Sequence, residues 1–155
     1  MFETLHIDRG NALIRASNVL VQVRTGGMTV MALEAMLEAA RRMHQQVGGR
    51  GGALVVLSER AEMLPPMLRK RQQQGLKALI QDPAVSVCIV IEGSSAGAKL
   101  FRTLAQADGK MARNGAVHAD VHAGAQWLAE SIGNVDAAFI EEAAAHARAL
   151  ANKAG

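Results

Sequence analysis

Apolar residues along this chain follow two rhythms. Short β-branched runs stand at Asn18–Thr25, Ala53–Leu57 and Ser86–Ile91, with a shorter run at Ala116–Ala119, and between them apolar residues recur at three- and four-residue steps. Continuous short runs are the mark of buried strands, and the longer spacing is that of amphipathic helices. Their alternation predicts βαβ units around a mainly parallel sheet. Sheets of this kind bind ligands and partners at the carboxyl ends of their strands. Any site is therefore expected in the loops that follow the runs.

Three short segments open the chain, Thr4–Asp8, Ala12–Ala16 and Val19–Arg24, separated by Gly10-Asn11 and Ser17-Asn18. Both separators are turn formers, so the sheet is expected to start antiparallel. Thr25-Gly26-Gly27 breaks the third strand, and Thr29 is placed to cap a helix with Leu33, Met36, Leu37, Ala40, Met43 and Val47 along one face. Its outer face carries Glu34, Glu38, Arg41 and Arg42, with Glu38 and Arg42 ordered for an i,i+4 ion pair. Gly48-Gly49-Arg50-Gly51-Gly52 has the composition of a phosphate loop, yet a strand follows it instead of a helix. A helix-to-strand turn is the expected role.

Pro65-Pro66 opens a second helix that runs to about Gln81, where Asp82-Pro83 stops it. A third helix, from Ser95 to about Met111, is expected to bury Leu100, Phe101 and Leu104, and Asn114-Gly115 turns into the last strand. Ala125, Trp127, Leu128 and Ile132 mark a short helix. Beyond Gly133-Asn134 a final one, Asp136 to about Ala151, carries Phe139, Ile140, Ala143, Ala147 and Leu150 on one side. So much alanine favours close packing, either onto the domain or between two copies in a homo-oligomer. The predicted fold class is a single α/β domain over 1–133, with a mixed, mainly parallel sheet flanked by helices and an antiparallel start. A C-terminal helical extension over 134–155 completes it.

Composition narrows the function classes. With 155 residues and 50% hydrophobic content, one continuous core is the expectation. No apolar run is long enough to span a bilayer, and Met1-Phe2-Glu3-Thr4-Leu5-His6 lacks the order of a secretory signal, which predicts a cytoplasmic protein. The lone Cys88 lies inside the run Val87–Ile91 and reads as a buried thiol. A net charge of +3 is small and dispersed, and 3% aromatics with no Tyr leave little for bases to stack on. Nucleic acid is not an expected partner.

Gly93-Ser94-Ser95-Ala96-Gly97 is a G-x-S-x-G between a strand and a helix, the setting of a nucleophile elbow. Asp108 or Asp120 and then His118 or His122 follow in the order of α/β-hydrolases, so a serine hydrolase using Ser95, Asp120 and His122 can be written down. Against it stand the short chain, the few strands and the lack of a Gly-rich oxyanion segment; helix capping by Ser94 or Ser95 explains the same residues. His118, Asp120 and His122 would share one face of a fully extended strand and could hold a metal. Capping of the next helix by Asp120 is preferred, and neither a metal nor a cofactor is implied. Thr25-Gly26-Gly27, Ser58–Glu62, Glu92–Ser95 and Asp120–His122 should share the carboxyl edge. Their acids, Glu59, Glu62 and Glu92, are read as companions of helix dipoles and not as catalytic groups.

The order of elements resembles the STAS fold of anti-sigma-factor antagonists and of sulfate-transporter cytoplasmic domains over about Asn11 to Gly133. Ala53-Leu54-Val55-Val56-Leu57 is similar to the central STAS strand, and Ala116–Leu128 to the closing strand, capped turn and helix. The resemblance implies a non-enzymatic regulatory domain. In such domains a phosphorylatable hydroxyl after the central strand switches a protein partner; here Leu57-Ser58-Glu59-Arg60-Ala61-Glu62-Met63-Leu64-Pro65-Pro66 offers Ser58 alone, too near the strand to match. The expected binding residues are Thr25, Ser58, Glu59, Glu92, Ser94, Ser95 and His122 on the rim. They are joined by the basic surface of Arg69, Lys70, Arg71 and Lys77, with Gln72, Gln73 and Gln74 between, which suits an acidic partner. The alternative occupant is a small apolar or lipid-like ligand beneath those helices, lined by some of the eight Met residues, although Met31, Met36 and Met43 read as core.

Overall fold

Two tight turns and three helical crossovers decide the topology. The computed structural model describes residues 2–46, 50–107 and 114–154, and their side chains apart from those of 46, 76–80, 96, 101 and 104–107. The chain runs β1 (Phe2–Asp8), β2 (Asn11–Ala16), β3 (Val19–Arg24), α1 (Val30–Gln46), β4 (Gly51–Leu57) and α2 (Pro66–Gln81). It continues β5 (Val85–Ile91), α3 (Ala96–Ala107), β6 (Gly115–His118), α4 (Val121–Ile132) and α5 (Ala137–Ala154). The six strands form one sheet in chain order. Arg9-Gly10 and Ser17-Asn18 join antiparallel neighbours, and Gly10 and Ser17 take the positive φ, 74° and 57°, that such turns demand. From β3 to β6 every pairing is parallel, because each connection contains a helix long enough to recross the sheet. The α/β class and the antiparallel start are as the sequence predicts.

Helices cover both faces. One face presents Ile14, Val21, Val23, Leu54, Val56, Cys88 and Val90 to α4 and α5, which answer with Leu128, Ile132, Ile140 and four alanines, Ala143, Ala144, Ala147 and Ala151. On the other, Leu13, Leu20 and Ala53 lie under Met36 and Ala39 of α1, and α2 and the loop before it join α1 through Leu68 and Leu64. Burial on both sides makes β3 buried at all six positions, as continuous apolar runs require. The alanine stripe of α5 is covered within the chain, for α5 lies across β1, β2 and β3.

Close approach of α4 explains two glycines. A Cβ on Gly124 would stand 2.7 Å from Val90 Cγ2 and 3.1 Å from Cys88 Sγ, and one on Gly52 would stand 2.7 Å from Ile132 Cδ1. Gly51 and Gly52 therefore belong to β4, a correction to the turn predicted over Gly48–Gly52; Gly48 and Gly49 lie outside the described residues. Two core expectations are also corrected. Leu100 is 59% exposed on α3, and Met31 is 72% exposed because it sits in the first turn of α1, beyond the sheet. Val47 and the predicted end of the third helix at Met111 fall outside the described residues, as do the side chains of Phe101 and Leu104. No helix among the described residues is long and apolar enough to cross a membrane.

Candidate functional site

The carboxyl ends of β3, β4 and β5 are stitched together by main-chain hydrogen bonds. Ser58 N donates to Arg24 O at 3.0 Å, Glu62 N to Gly26 O at 3.0 Å and Glu92 N to Leu57 O at 2.9 Å. Gly93 fits between because it has no side chain: its φ is 112°, and a Cβ would come within 2.9 Å of Glu59 Cγ. Arg102 of α3 donates to Ile91 O and Gly93 O at 2.7 and 2.9 Å, which holds the turn into α3. The loops that sequence reasoning grouped at one edge thus share a rim.

Most polar groups on that rim already have local partners. Thr25 Oγ1 donates to Gly10 O at 3.4 Å, and Ser58 Oγ accepts from Arg60 N at 3.3 Å. Glu92 accepts both Nη groups of Arg148 at 2.8 and 2.7 Å, which ties α5 to the rim. Ser95 Oγ accepts from Ala98 N at 3.1 Å and caps α3. Asp120 Oδ1 accepts from Ala123 N at 2.8 Å and caps α4, and His122 Nδ1 lies 3.1 Å from Glu141 Oε1 on α5. Among the described residues no hydrogen bond joins Ser95, Asp120 and His122, so the triad is not assembled; Asp108 lies outside them. β6 ends at His118, so His122 turns with the helix and the common face is lost. No cluster of three metal-ligating side chains occurs among the described residues.

Sequence reasoning missed Arg24, which is 3% exposed at the end of β3. Its Nη2 donates to Glu62 O at 3.0 Å, and burial pushes its guanidinium down to about 10 against the opposing field of Glu62. Only the tertiary fold hides it, by laying the loop after β4 across the strand end. Cys88 is buried as predicted, and burial pushes its thiol up to about 12.

Beside the rim, the first turns of α1 and α2 and the loop before α2 expose apolar side chains. Val30, Met31, Met63 and Met67 all project into solvent, Met67 at 84% exposure. An ion pair ties the two helices together one turn further on: Arg71 donates Nε and Nη2 to the two Glu34 oxygens at 3.1 Å each, and Val30 and Met67 stand one helical turn before those partners. Arg69 and Lys70 are exposed and make no ion pair among the described residues, whereas Arg71 is committed to Glu34. The Lys77 side chain lies outside those described. A cavity of about 610 Å³ opens elsewhere, at the amino-terminal edge beneath α1.

Comparison of the chain with family models, with curated proteins and with solved structures gives no match.

Proposed function

We propose that this chain is a non-enzymatic STAS-like regulatory domain that docks a protein partner against the carboxyl rim and α2. The observation that carries the reading is the exposure of Val30, Met31, Met63 and Met67 at the starts of α1 and α2, with Arg69 and Lys70 exposed in the first turns of α2. Exposed apolar groups gathered in one place mark contact surfaces, and unbranched methionine adapts to its partner's shape. The adjoining cations select an acidic segment and speed its approach. The order of an antiparallel start followed by alternating helices and parallel strands supports the STAS-like assignment. Regulation by phosphorylation at Ser58 is not part of this reading, since that hydroxyl serves the turn beneath it.

The test is affinity capture from the native host with wild type, Met67→Asp and Arg69→Glu, followed by titration of the captured partner's acidic segment as a synthetic peptide. The expected result is one partner lost in both variants and a peptide affinity at least tenfold weaker for each. Undiminished binding to both variants overturns the proposal. A serine-reactive phosphonate that labels wild type but not Ser95→Ala overturns it in favour of a hydrolase.

A further inference from the structure

The cavity at the opposite edge has a chemistry of its own. Its floor is aliphatic, Leu5 of β1, Leu20 of β3 and Ala39 and Met43 of α1, and no aromatic ring lines it. It exists because α1 turns small residues, Ala35 and Ala39, toward the edge strands. The mouth is ringed by Arg15, Arg42 and Arg50 against two carboxylates, Glu3 and Glu38. Arg15 is paired to Glu3 at 2.6 Å, but Glu38 is shared between Arg41 at 2.6 Å and Arg42 at 3.0 Å. Arg50 has no carboxylate among the described residues; its Nη1 donates to the Ser131 carbonyl at 3.0 Å. Its main chain is held from below, for Asn18 Nδ2 donates to Arg50 O at 2.6 Å and to Asn134 Oδ1 at 3.0 Å. A positioned guanidinium with spare charge thus stands at the mouth of an aliphatic pocket.

The geometry points to a binding site for a small anionic amphiphile with an acyl chain and a carboxylate head. The chain lies on Leu20, Ala39 and Met43, and the head is received by Arg50 and Arg42. The volume falls within the range of about 300–1,000 Å³ typical of small-molecule sites. Guanidinium forks match carboxylate geometry and need less desolvation than an ammonium group would. Without an aromatic wall, planar ring ligands gain little. The head-binding residues Arg42 and Arg50 belong to no part of the docking surface, although Ala35 on the cavity wall lies one helical turn from Met31.

The experiment is calorimetric titration of the delipidated protein with dodecanoate below its micellar range, with dodecyltrimethylammonium as the ligand of equal chain and opposite charge. One equivalent of dodecanoate should bind, the cation should not, and Arg50→Ala should weaken binding at least tenfold at unchanged melting temperature. Ala39→Leu fills the floor and should abolish binding. Because that buried site could also unfold when enlarged, Ala35→Leu, at a half-buried position on the same wall, serves as the second variant and should weaken binding while the protein stays folded. Absence of dodecanoate binding, equal uptake of the cation, or full affinity in folded Ala35→Leu overturns the proposal.

Discussion

Glycine positions show how one residue type carries opposite meanings. Gly124 lies where α4 meets β5, with Val90 and Cys88 at the place a methyl group would occupy, whereas Gly97 on exposed α3 has nothing nearer than 3.9 Å, the Ser95 hydroxyl. Gly124→Ala is expected to destabilise the fold by about 1–3 kcal/mol through overpacking, despite alanine's better helix propensity. Gly97→Ala should stabilise it by about 0.5–1 kcal/mol, since only the propensity changes. Urea denaturation of both variants measures the two signs. The residues legible in advance were those whose role is local. Asp120 caps α4 because its neighbours in sequence supply the exposed amides, and Ser95 caps α3 for the same reason. Glu92 was not legible, because its partner Arg148 lies 56 residues away on a helix whose placement no local pattern encodes.

Between elements, the junction of the β1–β2 hairpin with α1 depends on a single carboxylate. Asp8 accepts from Thr29 Oγ1 and from Asn11 Nδ2 and lies 2.6 Å from His6 Nε2, while Thr29 Oγ1 accepts from Ala32 N and caps α1. Burial alone would raise the Asp8 carboxyl, but hydrogen bonds from His6, Thr29 and Asn11 outweigh it and hold the group below its ordinary value. A carboxyl lowered on folding contributes stability that is complete above its unfolded pKa of about 3.9 and is lost as pH falls through the folded value. Wild type should therefore exceed Asp8→Asn in denaturation midpoint at pH 7, and the gap should close toward pH 3. Equal gaps at both values would show that Asp8 acts without its charge. Thr29 as a cap was readable from sequence; the hairpin end that orients its hydroxyl was not, because Asp8 and Thr29 meet only once β1, β2 and β3 have paired.

At the scale of the molecule, the last helix is part of the core and not an appendage. Ile140, Ala143, Ala144, Ala147 and Ala151 join Ile14, Val19, Val21 and Leu128 in one cluster. A chain ending at Gly133 would bare the face of β1–β3 that α5 covers, and its thermal melt is expected to lose cooperativity; a sharp transition would show that 1–133 folds alone. The sequence by itself determined which segments become strands and helices, the two antiparallel turns, and the gathering of four loops at one rim. These rest on side-chain period and turn chemistry, which act over a few residues. Only the tertiary structure decided which partners the side chains of that rim find, that Met31 and Leu100 face solvent, and that a cavity opens at the far edge. Those outcomes depend on how closely each helix approaches the sheet, and that distance is set by contacts between residues far apart in the chain, where a glycine under α4 closes a gap and two alanines on α1 leave one open.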